Sequence, residues 1–220
     1  MIPDHFTCDT VSWERSVRLS HLLAAHIRAS GFRPDIVVAI GRGGYVPARI
    51  VCDDLLISNL TGIKIEHWGI AAQMHEEAVI RYPLAAEISG QSVLIVDDVT
   101  DTGETLRLAA DYLRARNPRE VRTAVLIHKG TSDLQPGYHA EYADAWQWVI
   151  FPWAFHEDLV GFVERVLSDV PTVTASIAAL LAGRFGIWAE DEEILKALDD
   201  LVAMGGAVRE PAGYRRAKSK

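Results

Sequence analysis

The run SVLIVDDVTDTGETL, residues 92–106, restricts the fold more than any other part of this sequence. Val93 to Val96 are uninterrupted and mostly β-branched, the pattern of a strand buried on both faces. Two acids end the run, a Thr/Gly-rich turn follows, and Leu106 to Arg116 reads as a helix that stops at Asn117 and Pro118. The same strand, turn and helix succession occurs in DIVVAIGRGG, after which Pro47 stands early in an apolar-periodic segment through Leu56. Val121 to His128 is a third apolar run, ending at Lys129 and Gly130. Strands that alternate with helices predict an α/β protein with a parallel sheet covered on both faces.

The segment from Ser12 to about Ala29 is predicted as a helix ended by Gly31. A short apolar run at Ile63–Ile65 precedes the stretch from Trp68 to Pro83, which has no amphipathic period and is expected to be a mobile loop or loose hairpin. From about Phe155 the pattern turns helical through three segments, and AVRE and YRRAKSK close the chain around a Pro-Ala-Gly turn. This predicts a main domain over residues 1–155 and a helical extension over 156–220 with the outline of a small winged-helix unit. Glu190, Asp191, Glu192, Glu193, Asp199 and Asp200 against Lys196 give the last helix a charge of −5, while the final 16 residues carry +4. An acidic helix opposes entry into a DNA groove, so an oligomer or domain contact is the expected role, in a homodimer or homotetramer.

A chain of 220 residues, 49% hydrophobic and 24% charged, suffices for one sizeable core and a small appendage. Its net charge of −8 argues against nucleic acid as the main partner. No stretch approaches the roughly 20 apolar residues of a membrane helix, and the N-terminus has no basic flank before an apolar run, so no membrane partner and a cytoplasmic location are expected. Cys8 and Cys52, far apart and outside any CxxC, read as reduced thiols.

In open α/β sheets ligands bind beyond the carboxyl ends of the strands. Three such ends carry unusual groups: Gly41 to Gly44, Asp97 to Thr105, and Lys129 with Gly130. Adjacent carboxylates such as Asp97 and Asp98 are costly unless they meet a cation or several hydroxyls. Asp101 to Thr105 add two hydroxyls, a flexible glycine and the N–H groups of a starting helix, a set suited to a phosphate dianion.

This combination resembles the phosphoribosyl pyrophosphate motif of type I phosphoribosyltransferases: four apolar residues, two acids and a short Thr/Gly-rich loop. The resemblance covers roughly Asp35 to Trp153. It implies the type I phosphoribosyltransferase fold, with a small hood, and a sugar donor whose ribose hydroxyls meet Asp97 and Asp98, directly or through Mg²⁺. Asp101, Thr102, Gly103, Glu104 and Thr105 would wrap the 5′-phosphate, and GRGG, with Gly41, Arg42, Gly43 and Gly44, would meet the pyrophosphate. Mg²⁺ is the implied cofactor, on Asp98 and Asp97. An acid at Asp101 is similar to that of the 6-oxopurine members, where it serves as the proton-handling group. Lys129 matches the lysine set against the exocyclic O6. YADAWQWVIFPWAF resembles the hood of xanthine-guanine phosphoribosyltransferases, with Trp148 stacked on the base and Val149 as a backbone contact. The resemblance thus implies phosphoribosyl pyrophosphate and a purine base as partners in a purine salvage reaction. The alternative on the same fold is a regulator that senses phosphoribosyl pyrophosphate or nucleotides. No protein nucleophile is needed, and His128 reads as a buried strand-end residue.

Overall fold

The computed structural model describes residues 5–68 and 74–218. In chain order the elements are β1 (Cys8–Thr10), α1 (Trp13–Ala29), β2 (Ile36–Gly41), α2 (Tyr45–Leu55), β3 (Leu60–Trp68), β4 (Met74–Tyr82), β5 (Ser92–Thr100), α3 (Glu104–Arg114), β6 (Glu120–Lys129), β7 (Tyr138–Ala143), β8 (Trp148–Ile150), α4 (Phe155–Val166), α5 (Thr174–Phe185), α6 (Asp191–Ala203), β9 (Ala207–Glu210) and β10 (Gly213–Arg216). They divide into two compact units.

Residues 12–68 and 74–146 form the first unit. Its six-stranded sheet runs β4-β3-β2-β5-β6-β7, with β4 antiparallel to β3 and every other pair parallel. Successive residues of a strand point to opposite faces, so runs apolar at every position need cover on both. Ile36, Val38, Ile40, Val93, Ile95 and Val125 join Leu106, Ala109, Ala110 and Leu113 of α3 in one buried cluster. The intervening Val37, Ala39, Leu94 and Val96 are equally buried, and α1 and α2 pack on the remaining face. Fully burying side chains of this size contributes roughly 1.5–3 kcal/mol each. Ser12 caps α1 by accepting the Arg15 N–H at 3.1 Å, where the sequence places the helix start.

The stretch expected to be a loop corrects in part: residues 74–82 are strand β4, paired with β3 through Lys64↔Tyr82, Ile65↔Ile80 and Glu66↔Val79. Register shifts interrupt the pairing, and Val79 and Tyr82 are exposed, so this edge strand shows no clean alternation in sequence. Positions 69–73 of that stretch lie outside the described residues. Arg81 pairs with Glu66 at 3.4 Å.

The second unit comprises residues 5–11 and 147–218, segments from before and after the first unit. Strand β1 lies parallel to β8, Cys8 opposite Trp148 and Thr10 opposite Ile150. Cys8 and Ile150 are buried in one cluster with Leu159, Phe162, Val163, Ile177, Leu181, Phe185, Ile194, Leu198 and Leu201 of α4, α5 and α6. The rings of Phe6, Phe162 and Phe185 meet at 4.8–6.0 Å between centroids. A capping box between Glu190 and Glu193 starts α6, and β9 and β10 form an antiparallel hairpin bridged to Thr172. This division differs from the expected boundary at 155/156. The apolar residues of β1 and β8 are buried with the C-terminal helices, a partnership that hydrophobic periodicity along the chain does not reveal. Among the described residues no helix is long and apolar enough to cross a membrane.

Candidate active site

Strand β2 has β3 on one side and β5 on the other, and the chain leaves these two neighbouring strands toward opposite edges of the sheet. Such a switch point opens a crevice beyond the carboxyl ends of the strands. GRGG follows β2 there, and Asp97 to Thr105 end β5 and begin α3. The Gly41–Arg42 peptide is cis, and Arg42 is exposed. A Cβ on Gly44 would stand 2.3 Å from the Val96 carbonyl oxygen, and one on Gly43 would stand 2.3–2.6 Å from the Asp98 carboxylate. These glycines therefore let the loop lie directly against the end of β5.

Asp97 is buried and Asp98 half-buried. Burial, with the Asp98 charge beside it, pushes the Asp97 carboxyl well above the usual carboxylate range, and the Asp98 N–H that Oδ1 accepts at 3.0 Å offsets this only in part. Such a pair fits a cation. No group of three or more His, Cys, Asp or Glu side chains with metal-ligand geometry occurs among the described residues, so a divalent ion held here must take its other ligands from substrate oxygens and water.

Gly103, at φ 87°, is the N-cap of α3 and has no side chain to cap it; the Glu104 N–H reaches Thr102 Oγ1 at 3.3 Å. The loop packs on the turn after β6, where Asp133 N–H donates to the Thr102 carbonyl at 3.3 Å.

Asp101 and Lys129, 28 residues apart, meet at 3.0 Å with side chains 9% and 3% exposed. Parallel pairing of β5 with β6, Thr100 opposite His128, brings them together. Two further residues join them that the sequence reading does not single out. Trp146 Nε1–H donates to Asp101 Oδ2 at 3.1 Å, and Thr131 Oγ1 lies 3.2 Å from both Oδ1 and the backbone carbonyl of Asp101. The Lys129 ammonium stands 5.6 Å from the Trp146 ring centroid. His128 is buried as expected, between Thr100 Oγ1 at 2.9 Å and Gln135 Oε1 at 3.2 Å, and burial lowers its pKa.

Of Trp146, Trp148 and Trp153, the first thus sits against Asp101. Trp148 and Val149 belong to β8 in the other unit, where Trp148 packs on the helical core. Trp153 stacks on Phe151 at 4.7 Å.

Residues 12–158 match the phosphoribosyl transferase domain. The xanthine-guanine phosphoribosyltransferase of Gluconobacter oxydans is 33% identical over 147 residues, which are 66% of this chain and 83% of that protein. The purine phosphoribosyltransferase of Pyrococcus horikoshii superposes with a TM-score of 0.57 at 27% identity, covering 67% of this chain and 94% of that one. A Neisseria gonorrhoeae protein with bound ppGpp superposes with a TM-score of 0.58 at 26% identity, covering 68% and 91%.

Proposed function

The chain belongs to the phosphoribosyl transferase domain family, and from that premise we propose that it transfers the 5-phosphoribosyl group of phosphoribosyl pyrophosphate to a 6-oxopurine, releasing pyrophosphate. The observation that carries this reading is the buried Asp101–Lys129 pair at the strand ends beside Asp97 and Asp98. Curated relatives named for xanthine and guanine support it. The guanine nucleotide held by the Neisseria protein is of the same chemical class.

In the reaction the bond from the anomeric carbon to the pyrophosphate oxygen breaks, and a bond to N9 of the purine forms. The sugar develops oxocarbenium character, so the task is to hold charge in place. Asp97 and Asp98 take the ribose hydroxyls. The backbone from Thr102 to Thr105 and the N-terminus of α3 take the 5′-phosphate. Arg42 and the N–H groups of its loop face the departing pyrophosphate. Asp98 with Asp97 would hold Mg²⁺ brought with the donor, which supplies positive charge to the leaving oxygens. Asp101 accepts the imidazole proton that the purine loses, help typically worth about 10²–10⁴-fold. Lys129 has only donors to offer, so it suits O6 and disfavours the amino group of adenine.

Pyrophosphate release measured with Mg²⁺, the sugar donor and each of guanine, xanthine, hypoxanthine and adenine tests the assignment. Turnover is expected with oxo-purines; none at all, or turnover with adenine alone, would overturn it. Asp101→Asn is expected to lower kcat by roughly two to four orders of magnitude with little change in KM for the donor. Equal loss in both would assign Asp101 to the phosphate cradle.

A further inference from the structure

We infer that Trp146, with Thr131, is a positioning residue that holds the Asp101 carboxylate for proton transfer, an inference that rests on the reading of Asp101 above. Asp101 Oδ2 accepts from two donors, the Lys129 ammonium at 3.0 Å and the Trp146 indole N–H at 3.1 Å. At Oδ1 the Thr131 hydroxyl stands at 3.2 Å, equally near the Asp101 carbonyl. The three partners come from the end of β6, the turn after it, and the segment after β7, so the carboxylate is fixed from three directions in the chain.

These donors differ in what the reaction asks of them. Lys129 is needed at O6 of the base, and its pull on Asp101 weakens as it turns to that oxygen. On this reading Trp146 and Thr131 are not drawn to the base. The indole N–H donates and never accepts, so it cannot compete for the proton that Asp101 takes from the purine. A neutral donor also leaves the carboxylate its charge while fixing its plane. Hydrogen bonds to charged groups are among the stronger ones, so losing either donor costs about tenfold in a step that depends on carboxylate orientation. The rival role for Trp146 is as a platform under Lys129, since the ammonium lies 5.6 Å from the ring centroid.

Trp146→Phe separates the two, because it keeps an aromatic ring beneath the ammonium and removes the N–H. Thr131→Val removes the other donor at nearly constant shape. Each should lower kcat about tenfold and leave KM for the sugar donor within about twofold. In an Asp101→Asn background the same substitutions should change kcat by less than about twofold, since a residue acting through Asp101 has nothing left to position. Full loss persisting in that background overturns the inference. So does a rise in KM for the base with kcat intact, which marks the indole as the lysine's platform. If Trp146→Phe does not fold, Thr131→Val alone decides by the same criteria at Oδ1. Wild-type turnover of oxo-purines that both substitutions leave untouched overturns this inference alone. No turnover of any oxo-purine by the wild type overturns the reading of the site and this inference with it.

Discussion

A methyl group at Gly43 and one at Gly44 meet different kinds of neighbour, and the two substitutions should therefore fail differently. At Gly44 the obstacles are the Val96 carbonyl at 2.3 Å and the backbone of Ile40 at 2.9 Å, which cannot move without shifting two strands. Gly44→Ala should destabilise by about 1–3 kcal/mol or more, read as a lower midpoint in urea. At Gly43 the obstacle is the Asp98 carboxylate, a side-chain end that can swing away. If Asp98 holds ribose or metal as proposed, Gly43→Ala should keep its melting temperature and raise KM for the sugar donor about tenfold, because it displaces that acid. The cysteines give a further check. Burial pushes the Cys8 thiol up to about 12 and the Cys52 thiol up to about 11. Both stay protonated at pH 8, so Ellman's reagent should find no fast-reacting thiol until denaturant is added. As candidate site residues, Asp97 and Asp98 were legible as adjacent acids ending an apolar run, and Asp101 and Lys129 through the family resemblance. Trp146 was not, since an indole bond to an aspartate 45 residues away leaves no periodic or compositional trace.

Strands β2, β5 and β6 announce themselves as apolar runs, and their pairing sets the Asp101–Lys129 contact through the Thr100↔His128 register. Elements with weaker signals escaped. Strand β7, Tyr138–Ala143, is polar and only half-buried over much of its length, and β1 and β8 have three residues each, too few for a period to show. Their existence depends on partners distant in sequence. The C-terminal helices were legible because each carries an apolar stripe, and Phe185 shows what that stripe does. Its ring is fully buried at the end of α5, 4.8 Å from Phe162 and 5.2 Å from Phe6. Phe185→Ala should cost about 3–5 kcal/mol through the cavity left among these rings, measurable by chemical denaturation. A cost below about 1 kcal/mol would mean that α5 is not anchored there.

For the molecule as a whole, the division into two units changes what a truncation means. A cut after residue 155, where periodicity alone suggests a boundary, would strip α4, α5 and α6 from β1 and β8 and open the cluster that buries Cys8 and Ile150. The 1–155 fragment should therefore aggregate or bind a hydrophobic dye such as ANS. A monodisperse, dye-silent fragment would contradict this. The family match ends at residue 158, so most of α4 and all of α5 and α6 lie beyond it.

The parallel pairing of β1 with β8 also orders events in time. A chain made from its N-terminus presents residues 8–10 long before residues 148–150 exist, whereas every strand of the six-stranded sheet lies between them. The six-stranded sheet can form on the ribosome, and β1, made before all of its strands, finds its partner only after them.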